Sequence, residues 1–280
     1  MTQFVTSGGG GAFLHPTHQL AAEVDVNRGR DHITWMKGDV KKLTLASSTS
    51  DGVVKEACYP TRSESKRMLG GNFAFPFYNP SFGTVLGAVY WTLGWIAIFF
   101  PNDAWVIAPV LLWFGFWGYT KKQEGGGLKV LAVSAANGII HGFALITLAH
   151  LFRDINPSIL DPGHWPRLSF ALFAAEMIGI GGMIAAEIFG VYLYFSSGWL
   201  DLNHNDAFSS MRRDSHRHFI RIRIKDDEVT LYPVGLDKIP ERGQWQPNVS
   251  KAGIPAPKFV PTSPLCPHFI EPPIVVRATR

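Results

Sequence analysis

The charged side chains are distributed very unevenly along this chain of 280 residues. Residues 82–199 carry only eleven of them, whereas the other 162 residues carry 37. Seven of the nine tryptophans also lie in the central block. This pattern excludes a uniform soluble globule, a disordered chain and a fibrous protein. It predicts a membrane-embedded middle with polar flanks.

Four apolar stretches in this block are candidates for membrane spans, since a helix needs about 20 apolar residues to cross the hydrocarbon. They cover residues 82–100, 104–119, 128–152 and 168–195. The second is short and contains Pro109, so it is the least secure. We expect an α-helical polytopic membrane protein with about four transmembrane helices and a small cytoplasmic carboxyl-terminal domain that contains a β-hairpin.

Basic residues in the connections predict the orientation, because cytoplasmic loops are rich in Lys and Arg. Such residues precede the first span, occur in the second connection and follow the last span: Lys55, Arg62, Lys66, Arg67, Lys121, Lys122, Arg212, Arg213, Arg217, Arg221 and Arg223. Both termini are therefore predicted to be cytoplasmic, and residues 1–25 do not resemble a cleavable signal peptide. Two cysteines without a CxxC pattern favour a reducing compartment. The net charge of +4 requires no nucleic acid partner.

Small residues recur every four positions along the last span. Ala171, Ala175 and Gly179 form an upper row, and Gly182, Ala186 and Gly190 form a lower row. Such rows allow helix backbones to approach closely in a membrane. The general richness of membrane helices in Gly and Ala explains the pattern equally well.

Five polar residues within the predicted spans form an intramembrane polar cluster: Ser134, Asn137, His141, Glu176 and Glu187. Counting residues from the span ends predicts that His141 pairs with Glu176, and that Glu187 contacts Ser134 or Asn137. Ionisable groups at such depth indicate an ion or proton path or a small metal site. An interhelical polar clamp is the favoured interpretation.

The amino-terminal segment predicts a short strand over residues 1–5, followed by Gly8 to Gly11. Four glycines after a strand suit a tight backbone path or close approach to a ligand. His15 and His18 form an HxxH pattern, but Pro16 argues against a helix that would put both on one face. Zinc ligation by this pair is therefore a weak hypothesis, and loop histidines are the expected interpretation.

After the last span, residues 219–225 alternate isoleucine with basic residues, which predicts a half-buried strand. Residues 226–228 suit a turn and residues 229–234 a return strand, giving a hairpin. The arginine row could meet anionic lipid headgroups, although a solvated outer face is favoured. His204, Asn205 and Asp206 are expected to cap a short helix, and a ligand role for them is a minority interpretation. Recurring prolines from residue 247 onward argue against regular structure.

Two motifs resemble a known family. Thr6-Ser-Gly-Gly-Gly-Gly-Ala-Phe-Leu-His-Pro-Thr-His18 resembles the closing segment of the phosphoesterase domain in bacterial, membrane-associated, calcineurin-like metallophosphoesterases. His204-Asn-Asp-Ala-Phe-Ser-Ser210 and His218-Phe-Ile-Arg-Ile-Arg-Ile224 resemble the segment that follows the last span in that family. The resemblance implies a dimetal domain, then several spans, then a small carboxyl-terminal domain.

The resemblance implies that this chain is the membrane-anchoring and carboxyl-terminal part of such an enzyme. The family's pair of divalent metals (Mn, Fe or Zn) uses early motifs of the forms DxH, GDxxD, GNH(E/D) and GHxH, which are expected to lie outside this chain. Accordingly, no catalytic residue is assigned and no cofactor is expected on this chain. A phosphoesterase domain in cis or in trans and the lipid bilayer are the implied partners, and the bacterial inner membrane is the implied location.

The predicted organisation has five parts. Residues 1–39 are the end of a phosphoesterase-like domain, 40–81 a juxtamembrane linker, 82–199 the four-helix membrane domain, 200–246 a small cytoplasmic α/β segment, and 247–280 a proline-rich tail. The alternative function is a small channel or transporter that uses His141, Glu176 and Glu187.

Overall fold

A computed structural model describes residues 5–9, 13–25, 42–50, 53–249 and 257–277. The chain divides into two compact units. The helical unit comprises Met68–Met211, and the flanking unit combines Met1–Arg67 with Arg212–Arg280. Residues far apart in sequence therefore fold together in the flanking unit. The predicted strand over residues 1–5 lies almost entirely outside the described residues.

Eight α-helices occur among the described residues. They are α1 (Arg62–Met68), α2 (Phe75–Tyr78), α3 (Pro80–Phe99), α4 (Pro101–Glu124), α5 (Leu128–Ile159), α6 (Pro166–Glu176), α7 (Gly182–Trp199) and α8 (His204–Ser210). A 3-10 helix, Leu69–Ala74, links α1 to α2, and a π-helical stretch, Met177–Gly181, links α6 to α7. The last membrane segment is thus one helix, Pro166–Trp199, with a π-helical stretch inside it.

Among the described residues, three helices are long and apolar enough to cross a membrane: Pro80–Phe99, Leu128–Ile159 and Pro166–Trp199. The second predicted span also forms a helix, α4, but it is not among these three. It carries Pro109 in its interior and Lys121 and Lys122 in its last turn, all of which lower its mean hydropathy. A mostly helical protein with three candidate membrane-spanning helices is therefore confirmed, and the predicted count of four spans is not.

The lower row of small residues packs closely against α3. A Cβ placed on Gly182 would lie 2.5 Å from the carbonyl oxygen of Gly83, and one on Gly87 would lie 2.3 Å from the carbonyl oxygen of Ile178. Farther along α7, a Cβ on Gly190 would lie 2.3 Å from the Asn72 carbonyl oxygen. These distances are too short for any side chain, so glycine is required for this packing. The lower row is confirmed as a packing surface.

The upper row does not act in this way. Ala171, Ala175 and Gly179 are all exposed. Nothing lies within 4 Å of a Cβ placed on Gly179. The prediction for the upper row was wrong, since none of its three members is buried against a neighbouring helix.

The flanking unit contains ten short strands among the described residues. They are β1 (Glu23–Asp25), β2 (Lys42–Thr44), β3 (Ser47–Ser50), β4 (Val53–Glu56), β5 (Ser215–Lys225), β6 (Glu228–Lys238), β7 (Trp245–Pro247), β8 (Phe259–Pro261), β9 (His268–Phe269) and β10 (Ile274–Arg277). The main sheet has the order β10-β6-β5, and β9 also pairs with β6. The other strands form the antiparallel pairs β1-β2, β3-β4 and β7-β8. Three strand pairs therefore lie outside the main sheet.

The predicted hairpin is present as β5 and β6, which pair antiparallel around Asp226 and Asp227. Its predicted half-burial is wrong at the distal end, since Ile222 is 58% exposed and Ile224 is 75% exposed. The alternation of isoleucine and arginine correctly indicates a strand. It does not show that the isoleucine side is covered.

Two segments contain more regular structure than expected. The predicted linker 40–81 contains the β3-β4 pair and three short helical segments before α3 begins. The proline-rich tail contributes β10, which follows Pro272 and Pro273 and pairs with β6. Proline is tolerated just outside a strand or at a sheet edge, because no ladder hydrogen bond is lost there. The expectation of an irregular tail was therefore wrong for its described strands.

Candidate functional site

The candidate site in the helical unit is a polar row on α5. Ser134 and His141 are completely buried, and Asn137 is 2% exposed. Ser134 Oγ, both polar atoms of the Asn137 side chain and His141 Nε2 have no hydrogen-bond partner among the described residues. Buried polar atoms without partners are rare in folded proteins. This row is therefore the most unusual polar feature of the helical unit.

His141 is held by aromatic side chains from two neighbouring helices. Its Nδ1 shares a 2.8 Å hydrogen bond with the hydroxyl of Tyr90 on α3. The Phe116 ring of α4 lies 4.7 Å from the imidazole, centroid to centroid. Tyr90 is also fully buried. One imidazole nitrogen is therefore satisfied by a neutral phenol, and the other is enclosed without a partner.

The predicted pairing of His141 with Glu176 is wrong. The Glu176 carboxylate instead accepts a 2.7 Å hydrogen bond from the side-chain amide of Asn156. The reason is the length of α5, which continues to Ile159, seven residues beyond the predicted end of the span. Seven residues shift the register by about 10 Å, so Glu176 meets a residue much nearer the end of α5.

The predicted contact of Glu187 with Ser134 or Asn137 is also absent, because neither side chain has a hydrogen-bond partner among the described residues. Glu187 itself is only half-buried. The five predicted residues therefore do not form one cluster. Three share the α5 row, Glu176 pairs near the end of α5, and Glu187 stands apart.

An apolar layer separates the α5 row from the Asn156–Glu176 pair. Between His141 and Asn156, the fully buried residues of α5 are Leu145, Ile146 and Ala149. Met177 in the π-helical stretch is fully buried as well. A continuous polar path across the helical unit would have to pass this layer. The described geometry therefore argues against a permanently open pore.

Two glycines bring α5 against α4 beside the polar row. A Cβ on Gly138 would lie 2.4 Å from the backbone nitrogen of Trp113, and one on Gly142 would lie 2.5 Å from the Pro109 ring. Gly138 and Gly142 are four residues apart, which is the spacing of close-packed membrane helices. Sequence analysis overlooked this pair. The GxxxG spacing and the facing Pro109 were signals that could have revealed it.

The carboxyl-terminal motif lies at the end of the helical unit, where it forms hydrogen bonds instead of capping α8. Asn203 is the residue before α8, and its side chain makes no cap. The His204 ring bonds to Asp201 at 2.7 Å and to Ser197 at 2.9 Å. Asn205 is exposed and Asp206 is half-buried. The capping prediction for His204, Asn205 and Asp206 was therefore wrong.

Asn203 and its partners join three helices at this end. Its backbone nitrogen donates to Glu124 Oε1 at 2.6 Å, and its side-chain amide donates to the Tyr192 hydroxyl at 2.9 Å. That hydroxyl lies 3.0 Å from Thr120 Oγ1 on α4. Asn203 has a φ of 56°, a left-handed conformation that Asn tolerates better than most residues. This network fixes the ends of α4, α7 and α8 together.

His15 and His18 do not come together with further metal ligands. His15 is exposed and packs its ring against Phe13, with centroids 4.8 Å apart. His18 Nδ1 lies 2.9 Å from Ser65 Oγ. The described residues contain no group of three or more His, Cys, Asp or Glu side chains placed to hold a metal ion. They do not offer the ligand set of a dimetal pair, and zinc binding by the two histidines stays a prediction.

Tyr59 joins the two parts of the flanking unit. Its hydroxyl donates a 2.6 Å hydrogen bond to Asp237 Oδ1, and its ring lies within 6 Å of three imidazoles, those of His216, His218 and His268. Burial and the nearby Asp237 carboxylate raise the pKa of the Tyr59 hydroxyl, which therefore stays protonated. Burial lowers the pKa of His216 and of His218. At neutral pH the imidazole rings of His216 and His218 beside the tyrosine are therefore neutral.

One metal-motif form does occur in the chain, and sequence analysis missed it. Asp214-Ser215-His216 has the form DxH. The structure does not bring it to further ligands, since Asp214 Oδ1 pairs with Arg217 at 3.2 Å and His216 packs on Tyr59. The expectation that all the family's early motif forms lie outside this chain was therefore wrong for DxH.

The chain matches no protein-family model, no curated protein and no solved structure. The resemblance to metallophosphoesterases therefore rests on the motifs alone.

Proposed function

We propose that this chain is the membrane-anchoring and carboxyl-terminal part of a calcineurin-like metallophosphoesterase. In this function it holds a phosphoesterase domain, supplied in cis or in trans, at a membrane surface. The observation that best supports the anchoring role is that the flanking unit is built from two separate segments of the chain. Met1–Arg67 precedes the candidate membrane helices in the sequence, and Arg212–Arg280 follows them.

The flanking unit also supports a count of four spans. Two segments that fold into one compact unit lie on the same side of a membrane, so the chain between them crosses an even number of times. Three candidate spans are apolar enough by composition. The remaining long helix, α4, has 24 residues, which corresponds to about 36 Å, enough to cross the hydrocarbon. We therefore propose that α4 is the fourth span.

The first family-like motif and the His218–Ile224 part of the second belong to the same unit, the flanking unit. Gly9 belongs to the first motif and His218 to the second. A Cβ on Gly9 would lie 2.5 Å from the backbone nitrogen of His218, so the backbone at Gly9 lies directly against β5. This is the close backbone approach for which glycine is suited. Gly9 and His218 are thus in contact, although they are 209 residues apart in sequence.

Cysteine labelling tests the span count. In a background with Cys58→Ser and Cys266→Ser, Gly126→Cys marks the α4–α5 connection and His164→Cys marks the connection before α6. With four spans and cytoplasmic termini, a membrane-impermeant maleimide added to spheroplasts labels His164→Cys only. If α4 does not cross, the pattern reverses and Gly126→Cys is labelled. Labelling of both sites in intact spheroplasts would contradict either topology.

An assay of the purified chain tests the phosphoesterase half of the proposal. We expect no hydrolysis of p-nitrophenyl phosphate with Mn²⁺ or Zn²⁺, because no dimetal ligand set is assigned to this chain. Hydrolysis that survives further purification and follows the protein would contradict the anchoring role. Copurification of a phosphoesterase, or of a longer polypeptide that contains this sequence, would support it.

A channel or transporter is the second candidate, favoured by the buried polar row on α5. Flux of protons or divalent cations in liposomes, reduced by His141→Gln or Glu187→Gln, would support it. The apolar layer at Leu145 and Ile146 requires such a protein to change conformation during transport. If the unaltered protein shows no flux, we assign the polar row on α5 a packing role and not a transport role.

A further inference from the structure

The outer edge of β5 is a long stretch of unpaired strand. Among the described residues, β5 pairs only with β6, and it has eleven residues. Gly9 lies against His218, which leaves residues 219–225 open. Exposed edges are usually short, covered or blunted in soluble proteins. The edge is therefore available to a partner or a surface.

Two different rows of side chains flank this edge. Ile222 and Ile224 extend on one side of the sheet and are mostly exposed. Arg221, Arg223 and Lys225 extend on the other side, because successive strand residues alternate. All three are exposed, and none forms an ion pair with another described residue. A surface that approaches the edge would therefore meet apolar and cationic side chains together.

A groove beside the edge combines the same two chemistries. Its volume is about 730 Å³, and its lining includes Arg221, Arg223, Tyr232 and Phe269. The two aromatic rings lie 6.2 Å apart, and Phe269 is 54% exposed. Aromatic and basic side chains together are typical of surfaces at the membrane–water interface.

A second copy of the chain fits this edge poorly. Antiparallel pairing of β5 with another β5 would place the Arg221, Arg223 and Lys225 row against the same row of the partner. Like charges directly opposite each other destabilise a strand pair. The complementary surface is therefore anionic, with apolar material below the charges.

A lipid surface has this composition and lies within reach of the strand. β5 begins at Ser215, sixteen residues after Trp199, where the last candidate span ends. Anionic headgroups attract arginine and lysine, and the headgroup layer contains water and phosphate that can hydrogen-bond an open strand edge. The turn residues Asp226 and Asp227 are exposed, so the contact centres on residues 219–225 and not on the hairpin tip.

We propose that the open edge of β5, with the groove beside it, is a docking site for the anionic lipid surface of the membrane that the chain spans. Arg221, Arg223 and Lys225 contact headgroup phosphates, and Ile222 and Ile224 contact the acyl boundary. This proposal does not depend on the phosphoesterase function, since it requires only that the chain spans a membrane.

The test uses the full chain with Cys58→Ser and Cys266→Ser, carrying a nitroxide label at Ile222→Cys. The protein is reconstituted in nanodiscs of phosphatidylcholine with or without phosphatidylglycerol. Electron paramagnetic resonance then measures collision of the label with a water-soluble nickel complex. We expect collisions to fall severalfold when phosphatidylglycerol is present. A label at Val249→Cys, a residue that is 91% exposed, should not change.

Two charge-reversal double variants test whether the basic row of β5 causes the protection of the label. Arg221→Glu with Arg223→Glu should abolish the effect of phosphatidylglycerol on the Ile222→Cys label. Arg242→Glu with Lys258→Glu changes the net charge equally at exposed positions elsewhere and should leave the effect intact. If both pairs abolish it, the attraction is general and the site is not localised to β5.

Three further outcomes would overturn the proposal. Equal protection of the label in both lipid compositions means that a protein surface, such as a second copy, covers the edge. Protection by inorganic phosphate in phosphatidylcholine nanodiscs means that the groove binds a free anion. A label that remains fully accessible in both lipids means that the edge faces water.

Discussion

The two rows of small residues on the helix Pro166–Trp199 have the same four-residue spacing and opposite surroundings. Ala171, Ala175 and Gly179 are exposed, whereas Gly182, Ala186 and Gly190 are buried. The buried row faces Gly83 and Gly87 of α3 and the backbone of Asn72. The comparison teaches that a four-residue repeat of small residues marks close packing only where another segment of the chain lies directly against it.

The π-helical stretch Met177–Gly181, which contains the last residue of the upper row, contributes to the difference. In a continuous α-helix, the rows would follow each other along nearly one face, because the step from Gly179 to Gly182 is three residues. The stretch Met177–Gly181 has i→i+5 hydrogen bonding. One additional residue in the ladder rotates the preceding segment by about 100° relative to the following one. The upper row is thereby turned away from the face that continues below.

The largest effect is expected from a large side chain in the buried row. Gly182→Leu places its Cβ 2.5 Å from the Gly83 carbonyl oxygen, where the obstacle is backbone and cannot rotate away. We expect a loss of about 3 kcal/mol or more in unfolding free energy, measured by SDS titration in mixed micelles. Gly179→Leu is the matched control and should change stability little. Equal losses in both variants would invalidate the comparison of the rows.

The same contact can be tested from the facing helix. Gly87→Ala places a methyl group 2.3 Å from the Ile178 carbonyl oxygen, and we expect a loss of about 1–3 kcal/mol. At Gly115 nothing lies within 4 Å of a Cβ, so Gly115→Ala should be neutral or stabilise the helix by up to about 1 kcal/mol. Thermal unfolding in detergent, followed by size-exclusion chromatography, measures both. Greater stability of Gly87→Ala would mean that α3 and the π-helical stretch are farther apart than described.

Removal of the Tyr90 hydroxyl tests the contribution of hydrogen bonding on α3 separately from that of close packing. Tyr90→Phe keeps the ring, which lies 3.5 Å from a Cβ placed on Gly181, and removes the hydrogen bond to His141. We expect a loss of about 1–2 kcal/mol, because a second imidazole nitrogen becomes unpartnered. The SDS titration measures this loss against the unaltered protein. A larger loss than for Gly182→Leu would make the hydrogen bond, not the glycine contact, the main stabilising feature.

The smallest effect is expected in the flanking unit, where the imidazoles of His216 and His218 lie against the Tyr59 ring. Burial lowers the pKa of His216 and His218 in the folded unit. Their contribution to stability is therefore fully present above the ordinary histidine pKa of about 6.5. It is lost as the pH falls through the lowered values. Of the charged and titratable groups near His216, Glu64 and Asp237 raise its pKa, whereas Arg213 and His268 lower it.

We expect the flanking unit to loosen on acidification from pH 7.5 toward pH 5, as measured by hydrogen exchange of the β5 amides. His216→Gln with His218→Gln should flatten this dependence, because neither side chain then titrates. The close packing at Gly83 and Gly182 involves no titratable group, so the protection factors of the amides there, which are corrected for the intrinsic pH dependence of exchange, should not change. Identical pH dependence in the double variant would assign the effect to other groups.

Local signals in the sequence predicted much of the fold. Hydropathy located three candidate spans, and alternation of isoleucine and arginine located β5. Hydropathy marks the apolar part of a helix, however, and not its end. It drops at Arg153, although polar residues extend α5 to Ile159. That extension shifted the register and produced the wrong pairing for Glu176.

The contacts that could not be predicted join residues far apart in the chain. Tyr59 and Asp237 are 178 residues apart, and no local pattern in either segment indicates the other. The same holds for Tyr90 with His141, because a buried histidine on an apolar helix is compatible with many partners. Of the candidate site, the α5 row was predicted as a set of neighbours, and its partners were not.

The construction of the flanking unit sets an order of events during synthesis. Residues 68–211 are made between its two parts, which at 5–20 residues per second takes roughly 7–30 s. During that interval Met1–Arg67 has been synthesised but the β5-β6 hairpin has not, so Tyr59 cannot bind Asp237. With the four-span topology that we propose, the unit can close only when every helix between its parts has been inserted and both flanks have reached the same side. Formation of the Tyr59–Asp237 contact would thus report that membrane insertion of the chain is complete.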